Sequence, residues 1–286
     1  MSEPDIRRLD STNAFIVVDL PGAPRADGVV RCARKVLVDS TKSLARSRTY
    51  SWAVLAQKVS GASAAINAEG EDRPAAIGAF CAETAPQVAD GSLTLSPGKG
   101  LTPADLDALG GIPSPDPEAF VAGIIGCVRA ATGSHAVATA AVEFDGGVGK
   151  LLHEALAAEG IEVLASGSDA LGTPADVLLF GSRPGVVEHT VAGQLPHRLL
   201  VPTAPMAFTP RALAVATRNG ATVLPDFVTT AGELASRSGS DPGSALAEVT
   251  ERALAHEEGA VLGACRAAEE FILSWRDDLP FGRPIG

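Results

Sequence analysis

Residues 135–165 read HAVATAAVEFDGGVGKLLHEALAAEGIEVLA. His135 to Phe144 is an apolar run of strand length, and Gly149 to Glu159 has helical spacing and stops at Gly160. Ile161 to Ala165 is a second short apolar run. Strand, glycine turn, helix and strand in that order make a βαβ unit. The alternation continues, with strands predicted at Val177–Phe180, Leu199–Val201 and Thr222–Leu224, joined by short turns. Alternation of this kind argues for a parallel sheet in an α/β fold.

Upstream, residues 14–19 (AFIVVD) read as a strand, Gly22 to Gly28 as a turn region and Val29 to Cys32 as another strand. Helical spacing covers Leu37–Ser47, and again Glu71–Val88, where Pro74 sits in the first turn. The small-residue stretch 49–66 between them reads as closely packed backbone or a tight loop. A strand is expected near Leu93–Leu95 and a loop at Ser96–Gly100, followed by an N-cap at Thr102 with Pro103 behind it. Pro113–Pro117 resembles a linker, and Glu118–Ala131 a helix closed by Gly133. The tail, Pro242 to Trp275, reads as one or two helices.

With 286 residues, 46% of them hydrophobic, the chain can bury a substantial core in one large domain or two modest ones. Aromatics are only 4%, so that core is built from aliphatic side chains. The net charge of −11 and the lack of any Lys/Arg run argue against nucleic acid as a partner. Cys32, Cys81, Cys127 and Cys265 form no C-x-x-C pair, and the five histidines no H-E-x-x-H, so no metal is expected. The polar N-terminus and short apolar runs point to a soluble cytoplasmic protein without a membrane span.

The turn inside the βαβ unit, Val142-Glu143-Phe144-Asp145-Gly146-Gly147-Val148-Gly149, lies where a dinucleotide-binding G-x-G-x-x-G belongs. Gly146 and Gly149 match its second and third glycines, while Phe144 replaces the first. Asp145 adds a carboxylate where a diphosphate would lie, and like charges there repel. Asp169 has the spacing of the acidic residue that takes ribose hydroxyls, with Ser168 beside it. A partial motif leaves two readings open: a surviving NAD(P) site using Gly146, Gly149, Ser168 and Asp169, or a degenerate one.

The segment Thr49-Tyr50-Ser51-Trp52-Ala53-Val54-Leu55-Ala56-Gln57-Lys58-Val59-Ser60-Gly61-Ala62-Ser63-Ala64-Ala65-Ile66 resembles the substrate-site segment of the glutamate/leucine/phenylalanine/valine dehydrogenase family. Asp27-Gly28-Val29-Val30-Arg31 is similar to the family's G-G-x-R strand, and Ser43 to Tyr50 to its L-A-R-G-M-T-Y. Gly220 to Gly232 resembles G-I-x-x-x-P-D-x-x-x-N-A-G-G. The resemblance spans about residues 14–240. It implies a two-lobed α/β fold: a substrate-type lobe over 1–118, a Rossmann-like lobe over 119–240, and C-terminal helices over 241–286 that brace the first lobe. It also implies a homo-oligomer, with the ligand in the cleft between the lobes.

The departures fall on functional positions. The family's two lysines read Ser51 and Ser63, and its catalytic aspartate reads Gly98. The asparagine of A-N-x-P-T-T-P reads Pro205, and that of N-A-G-G reads Thr230. Losing both the lysine and the aspartate leaves ordinary oxidative deamination very slow, because each such group is worth roughly 10²–10⁴ in rate. Lys99 and Lys58 are the nearby amines able to bind a carboxylate or form a Schiff base, and Ser63 is a third catalytic candidate. Ser51, Gly61 and Arg183 are candidates for substrate contact. Three functions are consistent with this pattern: an enzyme redirected to an amino- or imino-acid-like small molecule, an NAD(P)-dependent oxidoreductase with relocated groups, and a non-catalytic protein partner or regulator.

Overall fold

The computed structural model describes residues 1–133 and 135–284, so the last two residues of the expected C-terminal segment lie outside it. Two compact units are present, one formed by Met1–Pro115 with Glu269–Pro284 and the other by Asp116–Ala268.

The first unit is built on five strands, β1 (Asp5–Arg8), β2 (Ala14–Val18), β3 (Ala26–Ala33), β4 (Ser60–Asn67) and β5 (Leu93–Pro97), in the order β1-β2-β4-β3-β5. β3 runs parallel to β4 and β5, whereas β1 and β2 run antiparallel to their neighbours. Helix α1 (Val38–Val54) covers one face and α2 (Arg73–Ala89) the other. Period-two alternation sorts the side chains: Ala62, Ala64 and Ile66 of β4 join Phe80 and Ile77 of α2 in one core, while Ala65 packs with Phe15, Val17 and Ala45 on the opposite face.

Residues 49–66, expected as closely packed backbone or a tight loop, are the closely packed alternative: the end of α1, a short turn and the central strand β4. The sequence SGASAAIN has little intrinsic strand preference. Its small side chains are what a strand under a close helix needs. A Cβ on Gly61 would lie 1.9 Å from Ala45 O and 2.4 Å from Thr49 N, so α1 rests almost directly on the β4 backbone. Strand β1 was not anticipated; its polar sequence DIRR is an edge pattern.

The second unit carries a fully parallel sheet of β6 (Thr139–Val142), β7 (Glu162–Ser166), β8 (Val177–Phe180), β9 (Leu199–Pro202) and β10 (Thr222–Val223), in the order β10-β9-β8-β6-β7. Its helices are α3 (Pro117–Thr132), α4 (Gly149–Ala158), α5 (His189–Ala192), α6 (Pro210–Arg218), α7 (Asp226–Thr229), α8 (Gly232–Arg237), α9 (Pro242–Leu254) and the part of α10 (Ala260–Leu273) up to Ala268. β6 is shorter than the apolar run 135–144, because the N–H groups of Ala138 and Thr139 bond the Asp176 carboxylate rather than a strand.

The unit boundary falls at Pro115/Asp116, slightly ahead of the expected 118/119, since Asp116 caps α3 by accepting from Ala119 N at 2.9 Å. The whole of 241–286 does not brace the first unit. α9 packs on α3 inside the second, where a Cβ on Gly126 would lie 2.1 Å from Gly243 O. Glu269–Pro284 belongs to the first unit. Tyr50 Oη donates to Glu269 at 3.1 Å, and the buried Arg46 donates to the carbonyls of Phe281 and Gly282. Among the described residues no helix is long and apolar enough to cross a membrane.

Candidate functional site

In the first unit, β3, β4 and β5 bring positions 29, 63 and 98 together. Ser63 is fully buried in the middle of β4, opposite Val29 in the parallel register, and its Oγ donates a long hydrogen bond to Val29 O at 3.5 Å. Gly98 lies just past β5, its N–H on Val30 O at 2.8 Å. A Cβ there would meet Val29 Cγ1 at 2.4 Å and Val30 O at 3.0 Å. The Val29 side chain therefore fills the space a residue at 98 would use. Ser51 is buried within α1, where its Oγ donates to Ser47 O at 3.1 Å. Gly61 carries the α1–β4 contact, donating its N–H to Thr49 Oγ1 at 2.9 Å. Lys58 is exposed in the α1–β4 turn, and Lys99 is exposed after β5, its carbonyl accepting from Cys32 N at 3.0 Å.

A buried charged pair lies under the same α1. Arg46 Nε donates to Asp19 Oδ1 at 2.7 Å, with both side chains nearly inaccessible. Burial pushes the Asp19 carboxyl up, against the opposing pull of the Arg46 charge. Asp27 on β3 receives Arg48 Nε at 2.7 Å and Trp52 Nε1 at 3.1 Å.

In the second unit, the loops after β6, β8, β9 and β10 carry the polar groups. Glu143, immediately after β6, is buried. Its carboxylate accepts from Gly181 N at 3.1 Å, Ser182 N at 3.0 Å and Ser182 Oγ at 2.5 Å. Asp145 extends toward the end of β7, where a Cβ on Gly167 would lie 2.6 Å from its Oδ2. Gly146 is exposed at φ +76°, and the Phe144 ring lies against Gly149 at the start of α4. Ser168 and Asp169 are exposed in a 3-10 turn after β7, and Arg183 is exposed after β8. Asp226 is half-buried and accepts from Met206 N at 2.6 Å. Burial pushes its carboxyl up to about 6. Met206 holds a left-handed backbone, φ +59°, which is uncommon for a residue with a side chain.

No protein-family model and no curated protein matches the sequence. Solved structures do. A hetero-hexameric glutamate dehydrogenase from Thermus thermophilus, in its leucine-bound form, is similar at a TM-score of 0.77 and 18% identity, over 94% of this chain and 86% of that one. L-tryptophan dehydrogenase from Nostoc punctiforme is similar at 0.72 and 18% identity, over 94% and 95% of the two chains. Glutamate dehydrogenase from Peptoniphilus asaccharolyticus is similar at 0.73 and 14% identity, over 91% and 85%. The chain has the amino-acid dehydrogenase fold.

The Val29 side chain and the bare backbone of Gly98 are complementary in volume. The dinucleotide that the fold implies does not fit the residues present. Phe144 packs where the turn needs a bare backbone, the Asp145 carboxylate lies at the β7 end, and the Glu143 carboxylate already holds the N–H groups after β8. The hollow bordered by Phe144, Asp145, Gly149, Lys150 and His153 has a volume of about 260 Å³, below the roughly 300–1,000 Å³ of small-molecule sites.

Sequence reasoning did not single out Val29, Glu143, Met206 or Asp226. Two signals were present in the residues: a β-branched side chain in a glycine motif, and a carboxylate ending the first strand of a nucleotide-type βαβ unit.

Proposed function

We propose that this amino-acid-dehydrogenase-like protein is redirected to an amino- or imino-acid-derived small molecule, without ordinary NAD(P)-dependent oxidative deamination. One observation carries the reading: Val29 Cγ1 would lie 2.4 Å from a Cβ at position 98. Deamination in the family needs an amine of lowered pKa facing a carboxylate. Position 63 offers a buried hydroxyl hydrogen-bonded to backbone, and position 98 has no room for a carboxylate. Lys99 and Lys58 are the exposed amines assigned to the ligand, by binding its carboxylate or by condensing with a carbonyl and releasing water. Arg183, exposed at the end of β8, is assigned a further anion contact. The reading includes a cytoplasmic homo-oligomer.

The test has two arms. Incubation with NAD⁺ or NADP⁺ and each proteinogenic amino acid should give no protein-dependent NAD(P)H fluorescence. A thermal-shift screen of amino acids and their α-keto acids should find ligands whose stabilisation is lost in Lys99→Ala or Lys58→Ala. Protein-dependent NAD(P)H formation would sink the reading.

A second reading is a non-catalytic subunit beside an active relative. The filled space at Val29 favours it, and the similar Thermus enzyme is itself hetero-hexameric. A screen without any stabilising ligand, together with co-purification of an intact dehydrogenase, would select this reading.

A further inference from the structure

We propose that the crevice at the C-terminal ends of β6 and β8 is an anion site that the chain occupies with its own Glu143. In the order β10-β9-β8-β6-β7 the chain leaves β6 toward β7 and leaves β8 toward β9, in opposite directions across the sheet. The loops diverge there and open a crevice, which is where open parallel sheets bind ligands. Two consecutive backbone N–H groups and one hydroxyl converge in it, from Gly181 and Ser182. Such a nest suits a carboxylate or phosphate oxygen.

Glu143 reaches the nest from the strand itself. Its N–H donates to Leu179 O at 2.8 Å, continuing the β6–β8 pairing one step past Val142, so its side chain is delivered without any loop between. Glu143 itself is buried, while Gly181 is half-buried and Ser182 exposed at the mouth of the crevice. An external anion would have to displace a carboxylate tethered by its own backbone, at high effective concentration.

An independent observation agrees. The crossover from β7 to β8 spans only residues 167–176 and contains a 3-10 turn instead of a helix and a further strand. The sheet ends at β7, with Asp145 set against Gly167 at that end. Both ends of the ground a dinucleotide would cover are thus altered, one by an internal anion and one by a shortened sheet.

The inference deepens the redox-free reading above, and the two are separable by experiment. The full-length protein, Glu143→Ala and Glu143→Gln are melted in sodium formate and in sodium chloride of equal ionic strength. Glu143→Ala should melt at least about 5 °C lower in chloride, since the donors of Gly181 and Ser182 lose their acceptor. Formate, small enough to enter the nest, should restore half or more of that loss with saturation, while the unmodified protein shows no formate-specific shift. Glu143→Gln keeps one acceptor and should fall less. A Glu143→Ala melting temperature equal to that of the unmodified protein overturns the inference, and so does formate stabilising both alike. If Glu143→Ala gives no folded protein, Glu143→Gln decides: a lower melting temperature supports the internal anion and an unchanged one overturns it. Calorimetric titration of the unmodified protein with NADH reports on the other reading. Micromolar binding with formate rescue intact sinks the redox-free function and leaves the nest. No binding and no rescue sinks the nest and leaves the function.

Discussion

At the scale of single residues, the first unit is explained by where side-chain volume sits. Val29 and Gly98 are complementary, so Gly98→Asp alone forces a clash with Val29 Cγ1 at 2.4 Å. Val29→Gly in the same chain removes that clash. A double-mutant cycle by denaturant unfolding should therefore give a favourable coupling of roughly 1–3 kcal/mol. Additive effects would show that the two positions do not share the space. Asp226 makes a pH prediction. Its folded-state carboxyl is raised to about 6 from 3.8, so the native state binds the proton more tightly than the unfolded chain. Stability then falls as pH rises from about 4 to 6, by roughly 3 kcal/mol, and is flat above. Asp226→Asn should lack that slope while keeping an acceptor for Met206 N. Parallel slopes in the two proteins would contradict the assignment. Ser63 and Gly98 were marked out in the sequence by the family resemblance, and β3, β4 and β5 bring them together. The filling of the space at 98 by Val29 was not legible there, because the residues are far apart in sequence and meet only through strand pairing.

Secondary-structure elements in this protein pack through glycine and alanine, which follows from a core poor in aromatic rings. α3 meets α9 at Gly126, where a Cβ would lie 2.1 Å from Gly243 O, and meets α8 at Gly123, where it would lie 2.8 Å from Gly232 Cα. Gly126→Ala should cost more than about 2 kcal/mol, because backbone must separate from backbone. Gly78→Ala on α2, with nothing within 4 Å of the new methyl, should instead stabilise by about 0.5–1 kcal/mol through helix propensity. Chemical denaturation of the two variants distinguishes close packing from a general intolerance of helix glycines. Most elements were legible from hydrophobic period, capping residues and turn glycines, including α2, α3, α4, β7 and β8. β4 was not. Its serines and alanines carry no strand signal, and the strand exists because β2 and β3 hydrogen-bond it on both sides while α1 needs its smooth face.

On the scale of the whole molecule, the two units have different structural economies. The first is tied by buried charge, and Arg46→Ala should cost roughly 3–5 kcal/mol by leaving Asp19 buried without its partner and releasing the carbonyls of Phe281 and Gly282. Guanidinium unfolding checks this. An unchanged midpoint would mean that the pair is structurally idle. The sequence by itself determined the alternation of strands and helices, the parallel sheet and the resemblance to amino-acid dehydrogenases. These depend on local period and on residue identity at short spacing. Only the tertiary structure decided that the division falls at Asp116, that α9 stays with the second unit, that Val29 lies in the space beside Gly98, and that Glu143 takes the donors of Gly181 and Ser182. Those outcomes depend on which distant residues share one volume and one set of hydrogen-bond donors, and a linear pattern does not carry that information.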